Sequence, residues 1–281
     1  MKRASLALLL AAALVVTFTV DASSAISATA APSPATVTPS PSPVAPVTPN
    51  PKTPVSVPVV PESDSVSTPD PSSSSAIGAL FSGDGHYCSA SVVHSAAGDL
   101  VLTAAHCVHD GAGGGYRTDI VFEPGYHDGV APFGQWTVTQ ALVAPGWAAT
   151  SDPDLDFAFL TVHQDGNPAT LESLTGADTL GLSSGFVNFV TLTGYPNTSN
   201  EPVVCQNSTT QQDTYQTRIA CPGFPDGTSG GPWVINPDPT TKLGTVIGVI
   251  GGYQLGGNDP DVSYSSYFDD DISALYATAT S

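Results

Sequence analysis

Gly227-Thr228-Ser229-Gly230-Gly231-Pro232 separates two architectures. A serine is a poor nucleophile at neutral pH and needs a base beside it. Flanking glycines let the backbone bend until N–H groups can point at a developing oxyanion. The pattern Gly-x-Ser-x-Gly fits a strand–turn–helix elbow on an α/β sheet, and it equally fits a glycine-rich turn in an all-β chain. Chain order distinguishes them, because on the α/β elbow the histidine partner follows the serine. Here the last histidine is His163, so the elbow fails and any base for Ser229 lies upstream.

Upstream, Thr103-Ala104-Ala105-His106-Cys107 directly follows the apolar run Leu100-Val101-Leu102. A histidine at a strand end, beside a cysteine that can form a disulfide, is held rigidly, as a general base requires. His109 is the near competitor, but it sits among Asp110 and glycines 111 and 113 to 115, a mobile context. His86, His94, His109, His127 and His163 are read as surface residues. A third member must orient the imidazole and stabilise its charged form. Ser151-Asp152-Pro153-Asp154-Leu155-Asp156 offers three carboxylates before Phe157-Ala158-Phe159-Leu160. Asp152 and Asp154 flank a turn proline and are expected in solvent. Asp156 enters a run apolar on both faces, where a carboxylate is costly unless paired.

Around these segments the composition supports an all-β reading. Charged residues make up 11% of the 281-residue chain, while it carries 27 glycines and 26 prolines. That excludes a coiled coil or helical bundle and suits short strands joined by turns. Leu100 to Leu102, Asp119 to Phe122, Phe157 to Val162, Phe186 to Leu192 and Thr245 to Ile250 read as strands. Asp269-Asp270-Asp271 before Ile272, Leu275 and Tyr276 reads as a capped start of a short C-terminal helix.

The amino-terminal quarter differs. Lys2 and Arg3 precede the apolar run Leu6 to Val16, and small residues follow at Ala25 and Ala28 to Ala30. Residues 1–30 therefore read as a cleaved secretory signal, with no stable membrane span after processing. Residues 31–75 hold 13 of the 26 prolines and no aromatic residue, so they read as a disordered linker or pro-segment. Residues 76–281 form the folded domain. There Arg117, Arg218 and Lys242 stand against 21 acids, a net charge of −18, which excludes nucleic-acid binding. The four cysteines, at 88, 107, 205 and 221, imply disulfides in a secreted chain. Three pairings are possible, and the sequence-local one, Cys88 with Cys107 and Cys205 with Cys221, is the simplest. No Cys-x-x-Cys spacing supports zinc. Pro124 to Gly129 reads as a surface loop rather than a metal site, and Asp259, Asp261 and Asp269 to Asp271 as solvated or capping charge rather than a calcium site. Asn197-Thr198-Ser199 and Asn207-Ser208-Thr209 match the glycosylation pattern.

In the order His106, Asp156, Ser229, these segments resemble the trypsin/chymotrypsin-like serine endopeptidases, in particular the secreted bacterial branch that includes glutamyl endopeptidases. The resemblance covers about residues 78 to 270. It implies two packed six-stranded antiparallel Greek-key barrels with the three residues in the cleft between them. It implies that Cys88–Cys107 braces the histidine and that the N–H groups of Gly227 and Ser229 form the oxyanion hole. It also implies a peptide or protein substrate, a monomer, and acyl transfer without a metal or organic cofactor. The branch's pattern puts the specificity pocket floor at Gly223 and its wall at Ile250, Gly251, Gly252 and Tyr253. Gly223 is no carboxylate and Ile250 stands where glutamyl endopeptidases usually carry a histidine, so a neutral or apolar pocket is expected. Thr228 stands where trypsin carries an aspartate, and no Ile-Val-Gly-Gly start exists, so amino-terminal salt-bridge activation is not expected. The alternative from another class is a catalytically silent homologue that acts as a binding module.

Overall fold

A computed structural model describes residues 73–83 and 85–281, with the backbone strand Thr68–Pro69. The expected signal at 1–30 and most of the expected linker at 31–75 lie outside the described residues. The ordered fold nevertheless begins before residue 76. Ser74 is buried, and the Ser75 hydroxyl donates to the Thr175 carbonyl at 2.9 Å.

The strands are β1 (Thr68–Pro69), β2 (Ile77–Ser82), β3 (Gly85–Val92), β4 (Leu100–Thr103), β5 (Val121–Pro124), β6 (Trp136–Val143), β7 (Ala158–His163), β8 (Thr179–Leu180), β9 (Phe189–Gly194), β10 (Val203–Gln211), β11 (Gln216–Ala220), β12 (Pro232–Ile235), β13 (Thr245–Val249) and β14 (Val262–Ser266). The helices are α1 (Pro145–Thr150), α2 (Leu171–Thr175) and α3 (Asp270–Ala279). Strands β2-β3-β4-β7-β6-β5 close an antiparallel barrel. The second sheet runs β14-β11-β10-β9-β12-β13-β8, with β1 added on β10. Its outermost pair, β8 on β13, is parallel, while the six strands from β14 to β13 are antiparallel. The two-barrel β architecture is the one expected.

The apolar runs seed the cores. Leu100, Val101 and Leu102 in β4 and Phe159 and Leu160 in β7 are buried beside Phe122 and Trp136 in the first barrel. Val190, Leu192, Ile219 and Trp233 with both sulfurs of Cys205–Cys221 fill the second. Such runs, apolar at successive positions, suit strands covered on both faces. Helix α3 crosses back to the first barrel, burying Ile272 and Leu275 there, and Asp269 caps it by accepting from the Asp271 N–H at 3.0 Å. The expected strand at Asp119 to Phe122 begins later, because Asp119 takes a left-handed φ of 59° that a strand does not accommodate.

The two barrels meet at Ser89. Its N–H donates to the Ser229 carbonyl at 2.7 Å and its hydroxyl to the Gly227 carbonyl at 3.0 Å. The same hydroxyl accepts from the Tyr195 N–H at 2.8 Å. One β3 residue thus fixes the glycine-rich loop of the second sheet against the first barrel. Both sequence-local disulfides, Cys88–Cys107 and Cys205–Cys221, are formed. Two histidines correct the surface reading. His86 is buried among Phe81, Tyr126 and Tyr195, and burial lowers its pKa. His109 is buried against Tyr116, where its Nδ1 accepts from the Gly111 N–H at 3.0 Å. Of the glycines that made His109 look mobile, Gly111 instead pins its ring.

Candidate active site

His106 sits in the helical turn Ala105–Cys107 that ends β4. Asp156 follows the turn Pro153–Leu155 and precedes β7, and β4 and β7 are hydrogen-bonded neighbours. This pairing carries the two side chains together. His106 Nδ1 lies 2.7 Å from Asp156 Oδ2, and the His106 N–H donates to Oδ1 at 2.8 Å. Asp156 is fully buried. A third donor, the Gly252 N–H, reaches Oδ2 at 2.8 Å. The burial cost anticipated for this carboxylate is thus offset by three hydrogen bonds to two oxygens. A carboxylate oxygen accepts, so the ring hydrogen lies on Nδ1 and Nε2 keeps its lone pair.

Ser229 and His106 line one cleft of about 520 Å³ together with Tyr87, Arg117, Asp226 and Leu255. Among the described residues no hydrogen bond joins the serine hydroxyl to the histidine; in unliganded sites such bonds are often long and tighten on substrate binding. The backbone around Ser229 has a distinctive pattern. The N–H groups of Thr228, Gly230 and Gly231 donate to the carbonyls of Pro225, Ile250 and Thr228. Those of Gly227 and Ser229 donate to no acceptor among the described residues. Gly227 has φ 97°, and a Cβ there would overlap Asn197 N and Tyr195 O, so only glycine fits. Thr228 is buried, and its hydroxyl is satisfied by the Pro225 carbonyl at 2.7 Å.

A second cavity, of about 350 Å³, adjoins the first, and Asp226, Ser229 and Leu255 line both. Its other walls are mixed: Phe224, Pro225, Ile250 and Pro260 are apolar, while Asn197, Thr198 and Thr228, with the shared Asn258, are polar. No cationic side chain lines it. Of the five residues expected at the specificity pocket, Ile250 lines this cavity and Gly223, Gly251, Gly252 and Tyr253 do not. Gly223 is exposed in the turn after Cys221. Gly251 and Gly252 instead back the Asp156 carboxylate, where a Cβ on Gly251 would meet Oδ2 at 3.0 Å.

Several contributors carry no local sequence signal. Ser266 accepts from the Asp156 N–H at 3.2 Å and donates to the Pro153 carbonyl at 2.9 Å. Gln216 donates to Pro153 O and Asp154 Oδ1 and accepts from the Tyr253 N–H. Asp154 is therefore partly withdrawn from solvent rather than free, and desolvation raises its pKa. A grouping of metal-ligating type, Cys88, His106 and Cys107, has both sulfurs consumed by the disulfide.

A family model described as "Trypsin-like peptidase domain" matches residues 88–249, more than half of the chain. Among solved structures, protease Anisep from Arthrobacter nicotinovorans superposes with a TM-score of 0.67 at 28% identity, covering 76% of this chain and 99% of that one. A thermostable serine protease, AL20, from an extremophilic microorganism gives 0.66 at 28% identity, covering 74% and 97%. A Glu endopeptidase, at 17% identity and a TM-score of 0.61 over 76% and 96%, shares the fold. No curated protein sequence matches the chain significantly. The match to the family model begins at Cys88, which is disulfide-bonded to the residue after His106, and runs through Asp156 and Ser229 to the end of β13, and the chain belongs to the trypsin-like peptidase domain family.

Proposed function

We propose that the chain is a secreted serine endopeptidase in which His106, Asp156 and Ser229 act as a triad. The observation that carries this reading is the fully buried Asp156 bonded to His106 Nδ1 at 2.7 Å in the cleft that Ser229 lines. His106 Nε2 takes the Ser229 hydroxyl proton as the oxygen attacks the peptide carbonyl. The resulting oxyanion is held by the Gly227 and Ser229 N–H groups, whose lack of other acceptors supports that role. Collapse expels the amine, which receives the proton from His106. Water then repeats the sequence on the acyl-enzyme, releasing the acid and restoring Ser229. Secretion is supported by the amino-terminal sequence pattern and by the two disulfides. Phe224, Ile250 and Pro260 in the second cavity support a neutral residue on the acyl side of the cleaved bond, and the lack of a cation there argues against an acidic one.

The test uses the full chain, expressed with its own leader and collected from the medium. An active-site fluorophosphonate is expected to label Ser229, and labelling and peptide hydrolysis are expected to vanish in Ser229→Ala and His106→Ala. A folded protein that takes no label would instead be a binding module. Within the same preparation, chromogenic peptides cleaved fastest after Glu or Arg would refute the neutral pocket.

A further inference from the structure

Arg117 is one of three basic residues in the folded domain, against 21 acids, and it lines the cleft that holds His106 and Ser229. Its position is built. The guanidinium lies 5.2 Å from the Tyr87 ring centroid, within cation–π range. Tyr87 is itself anchored, donating to the Cys107 carbonyl at 3.0 Å, and burial pushes its phenol up to about 12, so it stays neutral beneath the cation. Asp110 approaches Arg117 at 3.6 Å, but the two side chains are 62% and 44% exposed, and this contact engages one guanidinium nitrogen. The planar group has five N–H donors in a fork that matches a carboxylate, and among the described residues most of them meet no acceptor.

Chemistry assigns the side of the cleft. His106 gives its proton to the departing amine, so the leaving segment lies on the His106 side. The cavity that His106 does not line, with Phe224 and Ile250, receives the acyl side. Tyr87, Cys88 and Arg117 line the cavity with His106 and are absent from the acyl cavity. The charged residue shared by both cavities is Asp226, at the boundary beside Ser229. The groove therefore runs from an acyl end without a cation, past Asp226, to a cationic leaving end.

We infer that Arg117 makes the enzyme select substrates with a carboxylate within the first two residues after the cleaved bond, as an acidic side chain or a free C-terminus. This deepens the endopeptidase reading and rests on it. A carboxylate there meets the one cation of the groove in a protein whose remaining field repels it, so the selection is local.

The test compares amidated peptides with identical acyl sides and Asp, Asn or Lys one or two residues after the bond. A matched peptide ends in a free carboxylate at the second residue, and a p-nitroanilide has no residue there. In the wild type, kcat/KM for Asp is expected to exceed Asn by about two- to fivefold, the scale of a partly exposed ion pair, with Lys below Asn. The free-acid arm shows whether a terminal carboxylate serves as well as a side chain. The preference is expected to disappear in Arg117→Gln, persist in Arg117→Lys, and weaken in 0.5 M salt. Ratios within each variant are read rather than absolute rates. Anilide hydrolysis with equal Asp and Asn rates, or a preference surviving Arg117→Gln, overturns the inference and leaves the peptidase reading standing. Hydrolysis of none of these substrates overturns both.

Discussion

Asp156 shows how much one side chain must satisfy at once. Its two oxygens accept from His106 twice and from Gly252, with no solvent to take up a mismatch. Asparagine is nearly the same size but brings an NH₂ into that acceptor site. With its NH₂ at the Oδ1 position the amide opposes the His106 N–H; with its NH₂ at the Oδ2 position the amide hydrogens face both the Gly252 N–H and the imidazole. The ring is then driven to the tautomer with hydrogen on Nε2, which cannot take a proton from Ser229. Asp156→Asn is therefore expected to lower kcat by about 10³- to 10⁴-fold, with KM changed far less, since the acyl cavity does not include residue 156. Steady-state kinetics with a chromogenic peptide, alongside near-ultraviolet circular dichroism to verify packing, checks this; a loss below tenfold would refute the orienting role. His106 and Asp156 were legible because each adjoins an apolar strand that makes its polarity conspicuous. Gly252 and Ser266 were not, because they reach Asp156 from 96 and 110 residues away and act through a backbone N–H and a common serine. Asn207 matches the glycosylation pattern by sequence, yet it is buried, its amide donating to the Ala220 carbonyl at 2.7 Å, so no glycan fits there in the folded protein.

Between the barrels, the short strand β8 is held by another buried carboxyl with quite different surroundings. The Asp178 backbone ties to β3 through Val92 and to His94, and its Oδ1 accepts from the Gly244 N–H at 2.7 Å. Its Oδ2 has no hydrogen-bond partner among the described residues, and the residue is fully buried. Burial pushes this carboxyl up to about 7, with the Gly244 hydrogen bond pulling weakly the other way. The folded state thus holds the proton more tightly than the unfolded chain, where an aspartate titrates near 3.8. Its contribution to stability is greatest below about pH 4, declines as pH rises from 4 to 7, and is flat above. Asp178→Asn removes the titration. Urea unfolding across pH 4 to 8 is expected to show the wild type losing roughly 3–4 kcal/mol relative to the variant over that window; parallel curves would refute the assignment. Runs and turns in the sequence gave no sign of this carboxyl, since Ala177-Asp178-Thr179 looks like an ordinary loop. The same limit explains which strands were found. Apolar β4, β7 and β13 stood out, whereas β10 (Val203–Gln211) and β14 (Val262–Ser266) are rich in Ser, Thr, Asn and Gln. Their inward positions include Asn207, Thr209, Ser263 and Ser265, buried polar groups that interrupt the hydrophobic period by which a strand is recognised.

At the scale of the whole molecule the charge of −18 over residues 76–281 acts where no single contact does. Its field extends about one Debye length, roughly 10 Å at 0.1 M salt, and rises as salt is withdrawn. A substrate protein of positive charge is drawn toward the surface before it reaches the cleft, and an acidic one is held off. Arg117 works the opposite way but only within contact distance, after the segment has entered. Salt should separate the two effects. From 10 mM to 0.5 M, kcat/KM for a basic protein substrate is expected to fall by roughly three- to tenfold, because encounter loses its steering. For a neutral peptide anilide, which the field neither attracts nor repels, the change is expected to stay below about twofold. Equal salt sensitivity for the two would mean that the acidic surface does not guide substrates. A rise for the basic protein would mean that it is captured unproductively on the acidic surface, with salt releasing it to the groove.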